Sequence, residues 1–108
     1  MWKIRYFQTA RGKYPVKEFI EAQNLPTRAK IGKSIGLLRS YGPYLKPPQM
    51  KKLQRDLFEL RISGKVAIRI FYSVIKREYY LLHAFKKKSQ KTPTKEIKIA
   101  IDRAKELI

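Results

Sequence analysis

The sequence contains no cysteine, which excludes disulfide bonds, thiolate metal sites and a cysteine nucleophile. Histidine is almost as scarce, because His83 is the only one among 108 residues. One histidine and 8 scattered carboxylates offer no recognisable spacing of metal ligands. No apolar stretch approaches the length that spans a membrane. We therefore expect one domain over residues 1–108, located in the cytoplasm, with no metal, no other cofactor and no membrane partner.

Acidic residues are few relative to basic ones. The chain has 26 lysines and arginines against 8 aspartates and glutamates, a formal net charge of +18. Such a charge favours binding to a polyanion, which leaves nucleic acid, an anionic membrane surface or an acidic protein open. The basic residues are interleaved with apolar ones, so folded elements must carry them. The candidate RNA-binding lysines are Lys51, Lys52, Lys87 and Lys91, and the last two belong to a lysine run that also contains Lys86 and Lys88.

Three helices are predicted from apolar spacing and from start and stop signals. The first begins near Pro15, and the second follows Asn24 and Pro26 and stops at Gly42. The third is expected to begin with Thr92 as its N-cap and Pro93 as its first helical residue.

Four strands are predicted from alternating apolar residues, over residues 2–8, 53–62, 66–75 and 79–86. The element order is then β-α-α-β-β-β-α. This order predicts an α+β fold in which a small antiparallel sheet is packed by helices on one face.

Strand parity places Arg61 and Arg69 among apolar neighbours of two adjacent strands. One interpretation is a pair of arginines on the sheet surface, matched with Glu59. The other is a phosphate clamp, because a guanidinium stays charged and presents a planar fork of donors to a scissile phosphate.

Two further residue types have both a structural and a functional interpretation. His83 is either a half-buried strand residue or a proton carrier next to the lysine run. Tyr72 is either a core residue or a platform on which an exposed base stacks.

Four short motifs follow one another in the second half of the chain. They are Leu57-Phe58-Glu59-Leu60-Arg61, Arg69-Ile70-Phe71-Tyr72, Leu81-Leu82-His83-Ala84-Phe85-Lys86-Lys87-Lys88 and Thr92-Pro93. This series resembles the phage-derived HigB-like branch of the RelE/ParE toxin superfamily. The sequence departs from that pattern at Ile68, where an aromatic residue is common, and at Ala84, where glycine is common.

The resemblance implies a RelE-like fold and the toxin of a type II toxin–antitoxin system. Such a toxin is an endoribonuclease, an mRNA interferase, which needs no metal, enters the ribosome and cuts the bound message. By position, Arg61 and Arg69 would grip the phosphate, His83 would carry a proton, and Lys86, Lys88 and Lys91 would neutralise phosphates or protonate the leaving oxygen. The implied partner is a HigA-like antitoxin with a helix-turn-helix.

Two other functions remain open at this point. The same superfamily contains ParE-like toxins that poison gyrase, and fold alone does not decide between the targets. A non-catalytic RNA- or ribosome-binding module would share the charge but would tolerate the loss of any single arginine.

Overall fold

The computed structural model describes residues 1–108, which form five strands and three helices. In chain order these are β1 (Lys3–Tyr6), α1 (Pro15–Glu21), α2 (Leu25–Tyr41), β2 (Met50–Gln54), β3 (Leu57–Ile62), β4 (Ala67–Ile75), β5 (Glu78–Lys87) and α3 (Thr94–Lys105). One 3-10 turn, Gly42–Tyr44, follows α2. The α+β class is therefore confirmed.

All five strands belong to one sheet with the order β1-β5-β4-β3-β2. The strands from β2 to β5 pair antiparallel with their neighbours, as the sequence predicted. However, β1 pairs parallel with β5, so the sheet is mixed and the expectation of a purely antiparallel sheet was wrong. Since α1, α2 and three strands separate β1 from β5 in the chain, no hairpin constrains their direction.

The strand predicted over residues 53–62 is in fact two strands. The chain reverses at Arg55 and Asp56, and Asp56 adopts a positive φ of 62° in this turn. Aspartate tolerates this left-handed conformation better than most residues. The extra strand, β2, is a mostly exposed edge strand with two lysines, so its sequence lacks a clear apolar alternation.

The helix starts follow their predicted signals with one exception. Pro15 opens α1, and the side chain of Asn24 caps α2 by accepting a hydrogen bond of 2.9 Å from the backbone N–H of Thr27. The start of α3 is displaced, because Pro93 is its cap residue and Thr94 its first helical residue. The prediction that Thr92 caps this helix was therefore wrong by one position.

Helices cover both faces of the sheet, contrary to the expectation of one covered face. Residues of α1 and α2 pack on one face in a cluster that includes Val16, Ile31, Leu38 and Ile70. On the other face, Ala100 of α3 packs with residues that include Phe71. α3 packs on β4 and β5, and the end of this face that carries Arg61, Arg69 and Lys87 remains partly exposed to solvent.

We predict that Ile70→Ala lowers the free energy of unfolding by about 2–5 kcal/mol, because Ile70 is fully buried in the central strand and truncation leaves a cavity. Urea unfolding followed by circular dichroism measures the change. The control is Val74→Ala in the same strand, whose side chain is 38% exposed and whose loss should cost much less. Equal losses for the two variants would contradict this account of the core.

Candidate functional site

Arg61 and Arg69 lie directly opposite each other on the paired strands β3 and β4. Both project from the face that carries α3, beyond the part that the helix covers. The side chain of Arg61 is 30% exposed and that of Arg69 is 13% exposed. Two like charges at directly opposed positions repel each other, so this arrangement requires a countercharge.

Glu59 supplies that countercharge from two residues before Arg61 on the same strand face. Its side chain is 1% exposed. One carboxylate oxygen, Oε2, accepts a hydrogen bond of 3.2 Å from Nε of Arg61. The other, Oε1, lies 3.5 Å from Nε of Arg69, an ion pair without hydrogen-bond geometry. The pairing with Glu59 that the sequence suggested is thus confirmed, and it includes both arginines.

Three of the four outer nitrogens of the two guanidinium groups have no hydrogen-bond partner in the protein. Nη1 of Arg69 donates to the backbone carbonyl of Ile68 at 3.0 Å, whereas Nη2 of Arg69 and both Nη atoms of Arg61 have no protein hydrogen-bond partner. Burial lowers the pKa of Arg69; Glu59 opposes this effect and Arg61 adds to it. A guanidinium nevertheless remains charged at physiological pH. The pair therefore offers free cationic donors to an anion.

An open depression of about 420 Å³ lies beside Arg69 at the end of β4 and β5. Its lining contains Arg69, Lys87 and Lys88 but no acidic side chain. Lys87 is opposite Ala67 in the β4–β5 register, so it shares the face of Arg69. The structure thus brings together four of the predicted site residues, Arg61, Arg69, Lys87 and Lys88.

The remaining predicted lysines are distributed differently. Lys86 is opposite Ile68 and Lys52 is opposite Phe58, which places both on the α2 face, away from the arginines. Lys51 is opposite Glu59 and shares the arginine face, although the two form no ion pair. Lys91 is exposed in the segment before α3 and does not line the depression. Alternate strand residues point to opposite faces, so the structure divides the lysine run, with Lys87 on the arginine face and Lys86 on the other.

Tyr72 belongs to the core and not to the site. It is 2% exposed on the face opposite the arginines, where its ring stacks on Phe58 with centroids 5.4 Å apart. Burial raises its pKa above the ordinary value, with a smaller contribution from Tyr79. Its predicted role in stacking on a base is wrong for this conformation, because no ligand can reach the ring.

His83 connects β5 to α3 through both of its ring nitrogens. Nε2 lies 2.7 Å from a carboxylate oxygen of Glu96, and Nδ1 lies 3.4 Å from Nη1 of Arg103. The same Nη1 atom donates to the backbone carbonyl of Leu82 at 2.8 Å. Burial lowers the pKa of His83, although Glu96 opposes this shift. A neutral ring that donates from Nε2 to Glu96 and accepts at Nδ1 from Arg103 satisfies all three groups.

Neither a metal-ligand cluster nor a helix that could span a membrane occurs in this structure. No group of three or more His, Cys, Asp or Glu side chains is placed to hold a metal ion. None of the three helices is sufficiently long and apolar to cross a bilayer.

A family model described as "Phage derived protein Gp49-like (DUF891)" matches residues 18–105 of the chain. The chain belongs to this family. The Gp49-like family is part of the RelE/ParE-like toxin superfamily, so this is a toxin-like phage-derived protein, and membership implies an antitoxin partner. No curated protein matches the sequence at a significant level. The matched segment begins within α1 and ends with α3, so it includes all the site residues and leaves out β1.

The sequence analysis did not identify two residues that contact His83, namely Glu96 and Arg103. They are seven positions apart on α3, with Ala100 between them, which places all three on one helix face. That spacing was visible in the sequence. What the sequence did not indicate was the partner of this polar pair, because the approach of α3 to His83 depends on the packing of the helix on the sheet.

We predict that the free energy of unfolding decreases as the pH falls below about 6.5, the ordinary histidine pKa. Since the folded state lowers the pKa of His83, the unfolded chain takes up a proton more readily, and acid therefore favours unfolding. Urea unfolding at several pH values measures the slope. His83→Gln should flatten it in this range, because His83 is the only histidine. An unchanged slope in this variant would contradict the assignment.

Proposed function

We propose that this protein is a HigB-like toxin of a type II toxin–antitoxin system, a ribosome-dependent endoribonuclease that cuts messenger RNA without a metal ion. The observation that carries the proposal is the opposed pair Arg61 and Arg69, of which Arg69 lines a depression together with Lys87 and Lys88. Membership of a toxin family often linked to ribonuclease activity supports it.

The proposed reaction uses the RNA 2′-hydroxyl as the nucleophile. The 2′-hydroxyl gives up its proton to water as its oxygen forms a bond to the adjacent phosphorus, and the bond from phosphorus to the 5′ oxygen breaks, which leaves a 2′,3′-cyclic phosphate and, after protonation, a 5′-hydroxyl. Arg61 and Arg69 stabilise the additional negative charge on the phosphate oxygens in the transition state. Lys88 supplies a proton to the leaving 5′ oxygen, and Lys87 neutralises a neighbouring phosphate.

The geometry gives His83 a different proposed role from that of a proton carrier. Both ring nitrogens are engaged, one by Glu96 and one by Arg103. Proton transfer to RNA would require the ring to leave at least one of these contacts. We therefore assign His83 to the attachment of α3 to the sheet.

The net charge of +18 fits a protein that approaches ribosomal RNA and messenger RNA in the cytoplasm. A polyanionic target favours binding to the ribosome through many phosphate contacts. The same cationic face is the proposed docking surface of a HigA-like antitoxin that contains a helix-turn-helix and masks the site.

We predict that Arg69→Ala lowers the rate of message cleavage by roughly 10²–10³-fold, because it removes a donor to the transition-state phosphate. The measurement is the single-turnover cleavage of a defined message on purified ribosomes. Arg55→Ala is the matched control, since Arg55 carries the same charge on an exposed turn, with its side chain 96% exposed. Its rate should remain close to that of the wild type.

Expression of the protein in cells distinguishes the proposed target from the alternatives. Induction of the wild-type chain should stop growth and produce discrete cuts within translated messages. Gyrase-linked DNA breaks with intact messages would instead identify a ParE-like toxin. Ribosome binding without cleavage, with Arg69→Ala indistinguishable from the wild type, would identify a non-catalytic module.

We also predict that Lys88→Ala reduces cleavage much more than Lys86→Ala. The two residues are close in the chain and have the same chemistry, but only Lys88 lines the depression beside Arg69. Comparison of the two single-turnover rates on ribosomes measures the difference. Equal losses would indicate that the lysine run acts through its bulk charge and not through a placed ammonium group.

A further inference from the structure

Glu59 is the only acidic side chain that is buried in the structure. A buried carboxylate is costly unless charged partners and hydrogen bonds compensate for its desolvation. Both partners of Glu59 belong to the proposed site, since each of its oxygens faces one arginine. Oε1 of Glu59 and Nε of Arg69 have no hydrogen-bond partner, and they face each other at 3.5 Å. The charged partners of this carboxylate are thus the two arginines.

The carboxylate contacts the Nε edge of each guanidinium instead of the fork formed by the two Nη groups. A carboxylate that paired bidentately with the outer fork would compete with a phosphate for the same donors. Contact through Nε leaves both Nη atoms of Arg61 and Nη2 of Arg69 without a protein hydrogen-bond partner, while Nη1 of Arg69 donates to the carbonyl of Ile68. The geometry therefore separates the group that orients the arginines from the groups that bind an anion.

We propose that Glu59 is the positioning residue of the active site: it bridges Nε of Arg61 and Nε of Arg69 and thereby holds both guanidinium groups with their outer nitrogens toward the scissile phosphate. This inference rests on the proposed ribonuclease function. It adds a residue that does not touch the substrate and acts only through the two arginines.

If Glu59 only positions the arginines, its substitution should lower the cleavage rate without weakening the binding of RNA. Glu59→Gln removes one negative charge from the site, so attraction of the RNA should be unchanged or stronger. The amide has only one acceptor oxygen, and its NH₂ group would face an arginine that is itself a donor. One guanidinium therefore loses its anchor, and misplacement on the scale of 1 Å reduces catalysis on the order of 10²-fold.

The deciding experiment measures single-turnover cleavage of a message on ribosomes, with the saturating rate and the half-saturating toxin concentration determined separately. For Glu59→Gln we expect a saturating rate lower on the order of 10²-fold, with an unchanged or lower half-saturating concentration. Glu78→Gln is the matched control. Glu78 also bridges two cations, Arg5 at 2.6 Å and Lys3 at 3.4 Å, but at the sheet edge formed by β1. This control should retain the wild-type rate.

A second readout reports the arginines without any cleavage. Nε–H signals of Arg61 and Arg69, assigned in nitrogen-15 spectra by comparison with Arg61→Lys and Arg69→Lys, should exchange slowly with water in the wild type. They should exchange markedly faster in Glu59→Gln. Unchanged exchange together with an unchanged saturating rate would overturn the proposal.

Other outcomes are equally decisive. If Glu59 accepted the 2′-hydroxyl proton itself, the wild-type rate would rise with pH along a limb that Glu59→Gln abolishes; a positioning residue leaves the shape of the pH profile intact. If Glu59→Gln does not fold, as judged by circular dichroism, Glu59→Asp decides. It keeps the charge but shortens the reach, so a folded Asp variant with the wild-type rate would overturn the inference.

The wild-type chain separates the two proposals. If it leaves messages intact on ribosomes, the ribonuclease function fails, and the positioning role of Glu59 fails with it. If the wild type cuts and Glu59→Gln cuts equally fast, only the role of Glu59 is rejected.

Discussion

Repulsion between Arg61 and Arg69 is the constraint around which this face of the sheet is organised. The β3–β4 register places the two cations directly opposite each other, where they repel unless an anion lies between them. Glu59 is that anion, and its burial is tolerable only because both arginines are present. The three residues form one electrostatic unit with two cations and one anion, so the loss of Glu59 leaves both arginines without a countercharge. A phosphate that binds to the outer nitrogens adds a second anion to the same pair.

An anion can bind to the two arginines only if solvent reaches them. The position of α3 on the same sheet face determines whether it does. Ala100 packs the helix against the apolar part of the face, while Glu96 and Arg103 hold His83. These contacts attach α3 to β4 and β5 and leave the arginine end of the face open. The sequence suggested His83 as a proton carrier, whereas in the structure its ring contacts two residues of α3. The cationic site and the helix beside it share one strand, β5, which carries both His83 and Lys87.

Much of the fold follows from local sequence signals. Pro15 and the Asn24 cap fixed two helix starts, and the alternation of apolar residues identified the meander and the common face of Arg61 and Arg69. The errors arose where local signals are weak or non-local contacts decide. The edge strand β2 has too few apolar residues to show the alternation that predicts a strand. The parallel pairing of β1 with β5 depends on contacts between distant parts of the chain. The placement of α3 on the second face is a non-local decision of the same kind.

The sequence by itself determined the α+β class, the surplus of positive charge and the shared strand face of Glu59 and Arg61, because composition and the two-residue period of a strand need no tertiary information. Tertiary structure decided which lysines join the arginines, since the β4–β5 register puts Lys87 on their face and Lys86 on the other. It also decided that both ring nitrogens of His83 are occupied, because Glu96 and Arg103 reach them only after α3 packs on the sheet. The physical reason is that a residue's type sets its chemistry, whereas its neighbours depend on contacts between distant segments.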